Sequence, residues 1–380
     1  MEFLSEYGMF LAKAITIVIA ILVVVGSIAS AGQKGKKPPG GHIEVTNLSE
    51  EISELKDEMH KEVLSEEEYK LLAKERKKQA KEEEKQKKKL QKSAKQHDDS
   101  GNKEIEGKKN SQTETEASSK EEDESDNKKR LYVLDFDGDV EASDVANLRE
   151  EITAILGVAE EGDEVLLRLE SPGGMVHAYG LASSQLARIK TAKLKLTIAV
   201  DQVAASGGYM MACVADQIIC APFAVVGSIG VIAEIPNFNR LLKHNLVDYE
   251  QHTAGEYKRT LTMFAENTDA AREKFKQELE ETHQLFKQFI NQNRPKVDIE
   301  KVSTGEHWYG LQAKDLNLID EIMVSDDYIL DSQEKFEIYS VSYVVKKSLS
   351  ERLSFSIRTA IEKGFLAIWQ KSNESKLFRG

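Results

Sequence analysis

The apolar and polar positions change character near Arg130. Beyond it, short continuous apolar runs alternate with amphipathic ones. Leu131–Phe136, Glu164–Leu169 and Lys195–Val200 read as strands, and Ser143–Leu156 and Val176–Lys190 as helices between them. Apolar strands separated by helices predict an α/β domain: a parallel or mixed sheet covered by helices and built from βαβ units. Further short strands are predicted at Ile218–Ala221 and Val247–Gln251. A long charged helix, Asp269–Asn291, carries the stripe Phe275, Leu279, Leu285, Phe286 and Phe289, and a short helix covers Leu311–Leu316. The tail offers a strand, Phe336–Val345, and a helix from Ser348 to about Lys371 with Leu349, Leu353, Ile357, Ile361, Phe365 and Ile368 on one side. That last helix either rests on a membrane surface or packs against protein.

Before Arg130 the pattern differs. Ala14–Ala31 is an uncharged apolar run approaching the ~20 residues that span a bilayer core. It is either a cleaved signal peptide or a retained single-span anchor. Lys13 precedes it and Lys34, Lys36 and Lys37 follow; this charge placement favours the anchor. The same lysines would put the following domain in the cytoplasm, although that rule is weak for long domains. After Pro38-Pro39-Gly40-Gly41 comes a stretch of helix formers, with Ile52, Leu55, Met59 and Val63 at helical spacing. The stripe fades beyond Leu72 into mixed charge, as on a solvated helix. His97–Lys129 has almost no large apolar residues and is expected to be a disordered linker. The expected organisation is therefore anchor 1–37, charged helical segment 38–96, linker 97–129, globular α/β domain 130–324, and C-terminal strand and helix 325–380.

Composition narrows the partners. The net charge of −13 argues against nucleic acid. Eight histidines and two cysteines leave little for a metal site, and no cofactor is expected. Cys213 and Cys220 sit in apolar sequence and read as small core residues.

The candidate chemistry centres on Val200–Gly230. Ala204-Ala205-Ser206-Gly207-Gly208 is a small-residue turn between a strand and a segment able to form a helix. A serine there has an uncrowded hydroxyl, glycines let a substrate backbone approach, and a helix N-terminus offers free N–H groups. Ser206 is then a nucleophile; alternatively, the turn is small only because nothing larger fits. A serine nucleophile needs a base. None of His177, His244, His252, His283 or His307 sits in a context that points at Ser206. Lys258, in Thr253-Ala254-Gly255-Glu256-Tyr257-Lys258, is the other option. At an ordinary pKa of ~10.4 only roughly one lysine in 2,500 is neutral at pH 7, so this role demands burial against apolar groups. Otherwise Lys258 is a surface lysine. Ser228, in Gly227-Ser228-Ile229-Gly230, is a candidate to hold its amine. Ser171-Pro172-Gly173-Gly174 ends a strand, where such sheets place ligand groups. A peptide N–H of Gly174, with that of Gly207, would form an oxyanion hole.

Taken in order, SPGG, ASGGY, GSIGV, TAGEYKR and TGEHWYGLQAKDLNLID resemble the signal peptide peptidase A/SohB family of membrane-anchored serine proteases, over about Leu131–Ile322. The resemblance implies a ClpP/crotonase-like fold, with Ser206 as nucleophile and Lys258 as general base. It implies hydrolysis of short apolar peptides such as signal-peptide remnants, and homo-oligomeric rings in which serine and lysine can come from neighbouring subunits. It also implies a single-pass protein of the bacterial cytoplasmic membrane with its catalytic domain on the periplasmic side, against the lysine count. The long charged linker has no counterpart in the family pattern. A ClpP-like Ser-His-Asp site is disfavoured because Ile229–Pro236 holds no histidine. An acyl-CoA enzyme of crotonase type and a non-catalytic membrane scaffold are the other readings of the same fold.

Overall fold

Strands β2 (Lys129–Asp137), β3 (Glu164–Glu170) and β4 (Lys195–Val200) form the centre of the sheet, and their side chains explain why. Successive residues of a strand point to opposite faces, and here both faces are apolar. Tyr132, Leu134 and Phe136 join Val165, Leu167, Leu169, Leu196, Ile198 and Val200 in one buried cluster. Leu131, Val133, Leu166 and Ala199 join a second cluster on the opposite face. Burial on two sides is what produces the continuous apolar runs of the sequence.

The computed structural model describes residues 40–74, 78 and 128–345. Its main sheet has seven strands in the order β1-β10-β2-β3-β4-β6-β9, adding β1 (His42–Asn47), β6 (Gln217–Cys220), β9 (Glu321–Ile322) and β10 (Phe336–Val344). All pairings from β10 through β9 are parallel. Helices α2 (Val145–Leu156) and α3 (Val176–Thr191) contribute Leu148, Ile152, Ile155, Leu186 and Ile189 to the larger cluster. This is the α/β architecture built from βαβ units that the pattern predicts. A second sheet of three short strands, β5 (Val203–Ala205), β7 (Val225–Gly227) and β8 (His307–Tyr309), carries the candidate chemistry.

Residues 43–343 form one compact unit; of the other, 1–42 and 344–380, only 40–42 and 344–345 are described. The expected anchor Ala14–Ala31, almost all of the expected linker and the final helix from Ser348 lie outside the described residues. Among those described, no helix is long and apolar enough to cross a membrane. Strand β1 and helix α1 (Leu48–Val63) fall in the segment that the sequence sets apart as charged and helical, and β10 falls in the C-terminal segment. The structure puts both strands in the main sheet, because Ile338 and Val341 are buried core residues and Leu48 and Ile52 pack on the second cluster. The outer part of the α1 stripe, Leu55, Met59 and Val63, is exposed.

The strand expected at Val247–Gln251 is irregular. It has no neighbour to pair with among the described residues, and Val247 and Tyr249 are exposed. A short helix, α5 (Asn239–His244), precedes it.

Candidate active site

Strand β5 delivers the chain into Ser206, which adopts φ 51° and ψ −116° ahead of helix α4 (Gly207–Ala212). A positive φ at a non-glycine residue costs on the order of 1–3 kcal/mol and persists only where its surroundings enforce it. Here the surroundings are hydrogen bonds. Ala205 N–H donates to Ser171 O (3.0 Å), Ser206 N–H to Gly227 O (2.8 Å), and Met210 N–H to Ser206 O (3.0 Å). The Ser206 side chain does not cap its own helix, and the residue is half-buried. The hydroxyl is thus left available to a substrate.

The glycines around it are dictated by packing. A Cβ on Gly207 would collide with the Tyr179 ring, and one on Gly208 would lie 2.6 Å from Ser171 O. Gly173 has φ +89°, and a Cβ there would lie 2.8 Å from both Gly207 N and Ser206 Cβ. The Ser171–Gly174 turn is therefore pressed directly against the serine. Two residues with no role assigned from sequence fix it. Ser171 is fully buried, its hydroxyl 2.6 Å from that of Tyr179 and accepting from Gly173 N–H (3.1 Å). Tyr179 donates in turn to Asp139 O (2.8 Å). Burial raises the pKa of the Tyr179 phenol, so it stays a donor. Met175 N–H is held by Val140 O (2.8 Å). Gly174 lies between these ties, and Gly207, as the first residue of its helix, has no preceding turn to donate its N–H to.

Parallel pairing sets Ala205 opposite Gly227, the residues just before Ser206 and Ser228, and the Ser206 N–H donates to Gly227 O (2.8 Å). Ser228 also has φ 51°. Its N–H donates to Glu306 O (2.7 Å), and Gly305 N–H to Ile229 O (3.1 Å). A Cβ on Gly227 would lie 2.7 Å from the Trp308 ring. The TGEHW segment thus holds GSIG in place.

A small cavity of about 10 Å³ opens at the serine. Gly174 and Val176 line it from the SPGG side, Ser206, Gly207 and Met210 from the nucleophile turn, and Gly230 and Val231 from GSIG. Thr282 and Phe286 complete it from the long helix α6 (Asp269–Asn293). None of the five histidines considered from sequence lines it. Three of the five residues singled out, Ser206, Gly174 and Gly207, meet in this cavity; Ser228 does not line it, although Gly227 before it pairs with Ala205.

Lys258 is not part of it. It sits in irregular chain, exposed like its neighbours from His252 to Arg259, with its backbone N–H on Gly255 O (3.2 Å). The burial expected for a basic lysine is absent in the single chain, because the segment before it is not a strand and nothing described covers it. Tyr257, beside Lys258 in the chain, is exposed too, as are Ile232 and Leu246 earlier in the sequence. Cys213 and Cys220 are buried and free, and burial pushes each thiol up to about 12, as suits inert core residues.

A serine on a strained strand-to-helix turn, beside open peptide N–H groups, is an arrangement for acyl transfer. Comparison with known proteins gives the class its family. Residues 2–186 match the family model described as peptidase family S49 N-terminal, and residues 188–338 the one described as peptidase family S49. The chain is 51% identical over 351 residues to "Probable protease SohB" of Haemophilus influenzae, covering 92% of each chain. It is 62% identical over 204 residues to "Probable protease SohB" of Buchnera aphidicola subsp. Schlechtendalia chinensis, covering 54% of this chain and 67% of that one. The chain belongs to peptidase family S49 and is a peptidase. Among solved structures, a mutant of a membrane-bound stomatin-specific protease in complex with a substrate peptide matches at 15% identity and TM-score 0.37, over 60% of this chain and 98% of that one.

Proposed function

We propose that this peptidase is a membrane-anchored serine endopeptidase in which Ser206 is the nucleophile and Lys258 its general base. The neutral amine of Lys258 takes the proton from Ser206 Oγ as the oxygen attacks the scissile carbonyl. The N–H groups of Gly174 and Gly207 receive the developing oxyanion; removing one such donor costs roughly 10²–10³-fold in comparable sites. The amine then returns its proton to the leaving nitrogen. Water, activated the same way, releases the acyl group and restores the serine. Ser228 orients the lysine.

The observation that carries this reading is the Ser206 turn itself, a non-glycine residue held at positive φ with an available hydroxyl. The exposed Lys258 and the exposed Tyr257 beside it in the chain fit a homo-oligomeric ring in which a neighbouring copy covers the loop, desolvates the amine and brings it to a serine. Substrates are short apolar peptides such as signal-peptide remnants. The Ala14–Ala31 run anchors the chain in the bacterial cytoplasmic membrane, with the catalytic domain on the periplasmic side. The test is cleavage of an apolar peptide by the full-length protein. Ser206→Ala and Lys258→Ala should each reduce it by roughly 10⁴-fold or more while the chain stays folded. Undiminished cleavage by either variant rules the dyad out.

A further inference from the structure

We propose that the cavity beside Ser206 admits only a small side chain, and that Phe286 sets its depth. The inference rests on Ser206 as nucleophile and names the substrate class of that site: peptides with alanine or glycine at the residue whose carbonyl is attacked.

About 10 Å³ is room for roughly one water, or a body the size of a methyl group. Three of the residues around it, Gly174, Gly207 and Gly230, bring no side chain, so its size is set by the others. Val176 is exposed and Val231 half-buried, and they form the mouth. Met210 and Phe286, 7% and 4% exposed, close the inner end. Methionine is unbranched and adapts to a guest; a phenylalanine ring is rigid and yields only by moving as a whole.

Phe286 is also pinned. It lies one turn beyond Thr282 on the same face of α6, the helix packs on α4, and Ile290, a further turn on, is fully buried. The Thr282 hydroxyl donates to Glu278 O of its own helix (2.9 Å), so the wall is apolar in effect. A leucine or phenylalanine entering this space meets the Phe286 ring, whereas an alanine methyl does not. Discrimination by a single methylene in such pockets is about 10–200-fold.

The experiment uses the full-length protein and fluorogenic peptides that differ only at the residue donating the attacked carbonyl: alanine, valine, leucine or phenylalanine. The wild type should favour alanine over leucine by at least about tenfold in kcat/KM. Phe286→Ala should reverse that order, and Phe286→Leu, which keeps most of the packing, should narrow the gap. Circular dichroism establishes that the variants are folded. A wild type that prefers leucine overturns the inference even if both variants unfold. So does an unchanged order in a folded Phe286 variant. In both cases Ser206-dependent cleavage leaves the nucleophile assignment standing. Cleavage of these peptides that survives Ser206→Ala, or no cleavage at all, overturns that assignment and the inference with it.

Discussion

The Ser206 turn and the Lys258 loop lie 52 residues apart in sequence and could hardly be built more differently. Around Ser206 the backbone is tied to two other segments, glycines are required by contact, and a strained φ is held in place. Around Lys258 the residues from His252 to Arg259 are exposed, Tyr257 among them. One half of the proposed dyad is complete within a single chain. The other half sits on a surface that is incomplete until something covers it. Strain at a nucleophile needs a rigid frame, and a lysine acting as a base needs a dry one. The first can be folded into a domain, and the second can be delivered by assembly.

Mixing two inactive variants probes that division with the largest expected signal. If serine and lysine meet between neighbours, equal amounts of Ser206→Ala and Lys258→Ala, dissociated and reassembled together, should recover roughly a quarter of wild-type cleavage, since random assortment leaves about that share of sites intact. Each variant alone should stay near background. No recovery means that the two groups meet within one chain, and the loop must then fold back over its own serine.

A smaller effect singles out the packed region. Glu151 of α2 is 6% exposed and accepts the Tyr343 N–H (2.8 Å). Burial raises its pKa to about 7 from the ordinary 4.5; the Tyr343 N–H opposes the shift, and Asp144 and Asp135 add to it. A carboxyl shifted upward stabilises the fold while protonated. Its contribution is full below about pH 4.5 and lost as pH rises through 7. Urea unfolding should show this group costing on the order of 3 kcal/mol between pH 5 and pH 8, with Glu151→Gln flattening that slope. An unchanged slope in the variant would show that the carboxyl is already charged when buried.

The same contrast explains what could be read from sequence. β2, β3 and β4 were plain because each is buried on two faces and long enough to show it. β5, β7 and β8, which carry the site, are three residues each, too short for any periodicity to register. Their presence was betrayed only by the small residues at their ends, Ser206-Gly207-Gly208 and Gly227-Ser228. Ser171 and Tyr179 gave no local sign, because their bond depends on a turn and a helix meeting in space. The stripe on the long helix differs in part from its buried face: Leu285 is exposed, whereas Phe286 and Ile290 are the buried pair. Helical spacing shows that a face exists, but the partner, here α4 and the cavity, decides which residues it contains. The surroundings of Lys258 were least legible, since they depend on tertiary contacts the loop does not make within the described chain.

The dyad is tested most directly by covalent labelling of the assembled, full-length protein with a fluorophosphonate, located by mass spectrometry in the wild type and in Lys258→Ala. The account predicts a single adduct on Ser206 in the wild type and its near-complete loss in the variant. Labelling of Ser206 at an undiminished rate without Lys258, or an adduct on another residue instead, would contradict it.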